Sequence, residues 1–203
     1  MEIFEKQKDI EGNNLDITSC AGVAIIKTKY PFYRGYELAE QLCGNAKKIR
    51  KEQENPNGSW LDFHISYGGF SGTIEEIRES HYRSPQGNLL FRPYKINSIE
   101  ERGIETLITN TIYLKDIKNK FSTSRIKELH KVLTLGKEAT KVFMNELNAR
   151  GLKLPIIKGE NYHESIYQEK QIAKDFAITP YFDMIEFMEF YPSFLLEVKN
   201  EES

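Results

Sequence analysis

The chain has 203 residues, 39% of them hydrophobic and 29% charged, which is enough to bury a normal core in one large or two small domains. Its 28 Lys and Arg against 30 Asp and Glu give a formal charge of −2, which excludes a general basic field for nucleic acid and leaves local basic patches open. No apolar run is long enough to span a bilayer and Met1-Glu2-Ile3-Phe4-Glu5-Lys6 is not a signal peptide, so a cytoplasmic location without a membrane partner is expected.

Residues 1–14 are polar and short. Cys20-Ala21-Gly22-Val23-Ala24-Ile25-Ile26 is a run of small and β-branched residues and predicts a strand buried on both faces. Tyr30-Pro31 turns the chain and suits the entry to a helix. From Gly35 onward Leu38, Ala39, Leu42, Cys43, Ala46 and Ile49 recur every three or four residues and form one helical stripe. Asn55-Pro56-Asn57-Gly58 is a turn signal, and Trp60-Leu61-Asp62-Phe63-His64-Ile65 alternates as a strand does. Cys20 and Cys43 fall on the strand and the helix stripe, as reduced core thiols rather than a disulfide or a metal site.

Beyond Gly72 helical spacing dominates. Thr73 caps a short helix over residues 74–82, with Glu75 and Glu76 in its first turn. Ser84-Pro85-Gln86-Gly87-Asn88 turns the chain, and residues 89–94 read as an extended segment that Pro93 confines to a sheet edge. Residues 98–119 have helical spacing through Ile104, Leu107, Ile108 and Ile112. Ser122 or Thr123 starts a helix through Ile126, Leu129, Val132 and Leu133, and another runs through Ala139, Val142, Phe143 and Leu147 to Arg150-Gly151. Gly136 is either a joint between two helices or a glycine within one. Residues 159–175 are polar and predict a mobile loop. Thr179-Pro180 starts a helix that is aromatic on nearly every side, which points to a core or an interface. Asp183 and Glu186 share a face there, as metal ligands or, for Asp183, as a favourable partner of the helix dipole. His64, His81, His130 and His163 show no ligand or triad spacing; His64 reads as a hydrogen-bonded strand residue and His130 as a surface one.

Three stretches carry a family resemblance. Ser19-Cys20-Ala21-Gly22-Val23-Ala24 is similar to the S-x-G-V-A strand of GGDEF nucleotide cyclases. The helix from Tyr36-Glu37-Leu38-Ala39 to Ala46-Lys47-Lys48 is similar to the A-K-containing helix that follows that strand, and Tyr30-Pro31-Phe32-Tyr33 is more typical of the large, polymerase-like subunit of type III CRISPR complexes. The segment from Leu15 to Tyr67 therefore resembles the C-terminal part of the second palm of that subunit family, and the rest resembles the helical region that follows it.

The resemblance implies an α+β fold: a partial ferredoxin-like palm of strand, helix and strand over residues 1–72, and a mainly helical region over 73–203. It also implies an ATP-condensing chemistry that makes cyclic oligoadenylates, with Mg²⁺ held by acids of a first palm strand and a Gly-Gly-Asp-Asp hairpin. Those acids are expected upstream of Met1, because Tyr67-Gly68-Gly69-Phe70-Ser71-Gly72 carries Phe70 and Ser71 in their place and reads as a loop. Alone, the chain is expected to be inactive. By this resemblance Lys47 matches the family lysine, and Lys51 shares its face one turn on, so both are candidate contacts to a nucleotide phosphate. Lys47, Lys48, Arg50 and Lys51 also complement the negative end of a helix dipole. The expected partners are a nucleotide, an upstream palm segment or a second chain, and a second copy in a homo-oligomer. Another part of this chain, or a second copy, should cover the strand at Cys20 to Ile26, whose usual neighbour is missing. The alternative is a non-catalytic binding or assembly module, with the degenerate palm as scaffold and the aromatic C-terminal helix as docking surface.

Overall fold

Two strands and the helix between them form the first structural unit. β1 (Cys20–Ile25) and β2 (Trp60–Ile65) run parallel, paired from Cys20 opposite Trp60 to Ile25 opposite Ile65, and α1 (Phe32–Lys51) makes the crossover. In this computed structural model the described residues are 7–13, 17–53, 57–66, 72–85, 87–100, 102–115, 122–152, 154, 168–169 and 177–190. The fold is mixed α+β, as expected. It divides into one unit of Met1–His81 with Arg92–Glu105 and another of Tyr82–Phe91 with Thr106–Ser203.

Gly22 sets the distance between α1 and the sheet. A Cβ built there would lie 2.1 Å from the Ala39 carbonyl oxygen, 2.5 Å from the Cys43 nitrogen and 2.7 Å from the Leu42 Cβ, so backbone meets backbone. Leu38, Leu42 and Ala46 are buried along the stripe that the spacing predicts, and the Cys43 thiol donates to the Cys20 carbonyl at 3.2 Å. Both cysteines are free and half-buried.

The burial of the two strands is the reverse of the expectation. β1 is only half-buried, and Val23 keeps 41% of its surface exposed, because α1 covers one face and the strand lies at the edge of a sheet ordered β1-β2-β5. β2 reads as alternating but is buried at every position except Leu61, because it is the central strand. β5 (Tyr94–Lys95) pairs antiparallel to β2 at the far edge, directly after Pro93, and Phe63 and Tyr94 stack with ring centroids 6.3 Å apart. Among the described residues no strand flanks β1 on its outer side.

α2 (Ile74–His81) begins with a capping box: Glu76 N donates to Thr73 Oγ1 at 3.2 Å, and Thr73 N donates to Glu76 Oε2 at 2.8 Å. Gln41 of α1 accepts from Ile74 N at 2.6 Å and ties the two helices together.

In the second unit β3 (Arg83–Ser84) and β4 (Gly87–Asn88) form a tight hairpin where the Pro-Gln-Gly signal stands. α3 (Ile104–Lys115) starts six residues later than its spacing suggests. The preceding turn holds Asn97 at φ 52°, and a Cβ on Gly103 would lie 1.9 Å from the Ser98 carbonyl oxygen. Its inner face is also rotated from expectation, to Leu107, Asn110, Thr111 and Leu114, because Asn110 and Thr111 satisfy themselves on the carbonyls of Thr106 and Leu107. α4 (Thr123–Leu135) is capped by Ser122, and α5 (Lys137–Ala149) follows a true joint at Gly136, φ 99°. Val142, expected on the inner stripe of α5, is exposed, and Thr140 takes the buried place beside Phe143 and Leu147. Most of 159–175 lies outside the described residues; Gln168–Glu169 (β6) pairs with Ala177–Ile178 (β7). α6 (Pro180–Phe190) follows, with Tyr181, Phe182, Met184 and Ile185 buried.

Gly22→Ala should lower the unfolding free energy in urea by about 1–3 kcal/mol or more, since the clash is with helix backbone rather than a flexible side chain. An unchanged midpoint would mean that β1 and α1 are not in close contact in solution.

Candidate phosphate-binding helix end and a buried carboxylate network

The last turn of α1 carries Lys48, Arg50 and Lys51, and no acid stands in its first turn. Arg50 is drawn aside by a hydrogen bond to Thr18 Oγ1. Lys47 and Lys51, the two sequence-predicted phosphate contacts, are both exposed on one side of the helix. Spaced four residues apart, their Cβ atoms stand about 5–6 Å from each other, close enough for both ammonium groups to reach one polyphosphate.

A second polar site, not anticipated from the sequence, lies behind the helix. Asp62 on β2 is fully buried, and its carboxylate accepts from Arg78 Nη1 at 3.0 Å and Arg78 Nη2 at 2.8 Å in a bidentate pair. Asn45 Nδ2 of α1 donates to Asp62 Oδ2 at 2.7 Å, and Phe63 N donates to Oδ1 at 2.8 Å. Every Asp62 oxygen is thus occupied from α1, α2 or its own strand. Beside it the Phe63 carbonyl accepts from Arg78 Nη2 at 3.3 Å and from the buried Arg92 Nη1 at 2.7 Å, and the Arg92 guanidinium lies 4.2 Å over the Phe63 ring. The legible signal was an acid between Leu61 and Phe63 in an apolar strand, which folding tolerates only with a partner.

His64, the next residue, is a buried strand residue. Burial above all, and then the positive charges of Arg92 and Arg78, push its imidazole down to about 3, so it is neutral at pH 7. His130 is half-buried rather than a surface residue: its ring lies 4.3 Å from that of Phe182, and burial lowers its pKa against the pull of Glu189. Asp183 and Glu186 are buried within the second unit. Asp183 accepts from the Phe91 backbone N–H at 3.0 Å, and Glu186 accepts from the Tyr82 hydroxyl at 2.9 Å. These are structural partnerships across about a hundred residues of chain. Phe70, Ser71 and His163 lie outside the described residues.

Most large side chains of the aromatic C-terminal helix are buried, with Tyr181 only 1% exposed and its phenol pushed up by burial, while Phe190 at its end keeps 40% of its surface exposed. Among the described residues no three His, Cys, Asp or Glu side chains come together to hold a metal ion. No protein-family model matches the chain, and no curated protein matches it.

Asp62→Ala leaves the Arg78 charge without its counter-ion and should cost about 3–5 kcal/mol in chemical unfolding. Loss of less than 1 kcal/mol would show that the pair is not formed. The His64 pKa is lower in the folded protein than in the unfolded chain, near 6.5. Its contribution to stability is therefore complete above pH 6.5 and is lost as pH falls toward 3, at up to about 1.4 kcal/mol per pH unit. His64→Gln should flatten that part of the stability–pH curve. An identical slope in both proteins would place the titration elsewhere.

Proposed function

We propose that β1, α1 and β2 form part of a palm-like nucleotide-binding domain related to the large subunit of type III CRISPR complexes, and that Lys47 and Lys51 meet the phosphates of ATP. The observation that carries this reading is the arrangement of α1. Gly22 and Asn45 hold its inner face to the sheet, and its outer face presents two lysines that make no hydrogen bond or ion pair among the described residues. Rigid mounting of two cations on one face is what recognition of a polyphosphate requires.

The buried carboxylates among the described residues do not fit a magnesium site: Asp62, Asp183 and Glu186 are each consumed by internal hydrogen bonds. Phosphate binding is therefore the role assigned to this chain, and condensation of ATP into cyclic oligoadenylate belongs to acids on an upstream palm segment or a second chain. The outer edge of β1, which no strand flanks among the described residues, is the place where a further strand from that segment, that chain or a second copy would extend the sheet. That same edge supports the second reading, a non-catalytic assembly module built on a palm scaffold.

Calorimetric titration with ATP separates the two. Saturable binding that weakens about tenfold or more in Lys47→Ala/Lys51→Ala, and weakens with added salt, is the outcome expected for a phosphate site. A tight homo-oligomer that ignores millimolar ATP would establish the assembly module instead.

A further inference from the structure

The outer face of α1 carries more than its two lysines. Phe32, Tyr33 and Tyr36 are 81%, 59% and 58% exposed, a cluster of rings at the helix start that no core packing explains. Tyr33, Tyr36, Glu40, Gly44, Lys47 and Lys51 follow one another at intervals of three and four residues, so aromatic rings and lysines share one ridge roughly 30 Å long. Two rings are held by their own polar contacts. The Tyr36 hydroxyl donates to Glu40 Oε1 at 3.1 Å, and the Arg34 guanidinium lies 5.7 Å from the centre of the Tyr33 ring, with Nε donating to the Tyr33 hydroxyl at 3.2 Å. Midway, a Cβ on Gly44 would meet nothing within 4 Å, so the ridge is low where it passes from rings to cations.

The charge of this region is opposite to that of the chain. Residues 17–53 hold seven Lys and Arg against Glu37, Glu40 and Glu52, in a protein whose formal charge is −2. We infer that the exposed face of α1 is a docking surface for single-stranded nucleic acid, with bases stacked on Phe32, Tyr33 and Tyr36 and the backbone carried on toward Lys47 and Lys51. Exposed rings offer π-faces to unpaired bases of any sequence, while the lysines attract phosphates. A protein partner fits less well: protein interface cores are depleted in lysine, and the ridge carries no aliphatic side chain beside its rings. Duplex is disfavoured because its bases are already stacked. This surface shares only Lys47 and Lys51 with the ATP site, and its rings are independent of it.

The test is fluorescence anisotropy of the full chain with a labelled oligouridylate of about ten nucleotides. Phe32→Ala/Tyr33→Ala/Tyr36→Ala should weaken binding at least about tenfold, with ATP binding and the thermal midpoint retained. Gly44→Glu, which adds a carboxylate to the ridge while favouring helix, should also weaken it. Lys47→Ala/Lys51→Ala should reduce the salt slope of log affinity by about 1.4. No saturable binding at low salt, equal affinity of the aromatic triple variant, or equal competition by duplex of the same length would each overturn the proposal. Saturable oligonucleotide binding by an unaltered chain that does not bind millimolar ATP would refute the nucleotide site alone.

Discussion

A carboxylate with no exposed surface, in the middle of the central strand, is the constraint around which the first unit is built. An unpaired charge at Asp62 would be untenable in that position, so Arg78 must approach with both terminal nitrogens and Asn45 must close the remaining lone pair. Satisfying those demands brings α1, β2 and α2 together in one arrangement. The Thr73–Glu76 cap starts α2 where Arg78 can reach the strand, and Gln41 receives the first N–H of that helix. The polar network thus specifies register more than it adds stability, since a buried ion pair roughly repays its own desolvation.

The two faces of α1 are consequences of different rules. Its inner face obeys packing: Gly22 removes the one Cβ that would stand between helix and strand, and Leu38, Leu42 and Ala46 fill the interface. Its outer face is released from packing, and what stands there is chemistry: rings near the start, lysines near the end, and few acids between. A helix held this firmly on one side can offer the other as a fixed surface, with little ordering cost on binding.

The second unit handles buried acids in the same way but from a helix. α6 buries Asp183 and Glu186 among aromatic side chains, and each is matched by a donor, from Phe91, 92 residues earlier, and from Tyr82, 104 residues earlier. Their three-residue spacing suggested metal ligation; their burial and partners explain them as ties between the hairpin segment and the C-terminal helix.

Much of the local structure was legible in the chain because its causes are local. The helix stripe from Leu38 to Ala46, the Thr73 and Ser122 caps, the joint at Gly136 and the hairpin at Pro85 each depend on residues within a turn or two of one another. Lys47 and Lys51 sharing a face followed from helical spacing in the same way. What the sequence could not decide was burial, which depends on which strand becomes central. β1 reads as fully buried and is an edge; β2 reads as alternating and is enclosed, with Asp62 and His64 inside it. Apart from the Phe63 N–H beside Asp62, the partners of Asp62, Asp183 and Glu186 lie 16 to 104 residues away in sequence, so only tertiary structure could pair them. Periodicity records which side chains share a face, whereas the choice of neighbour across space is made by the packing of the whole unit.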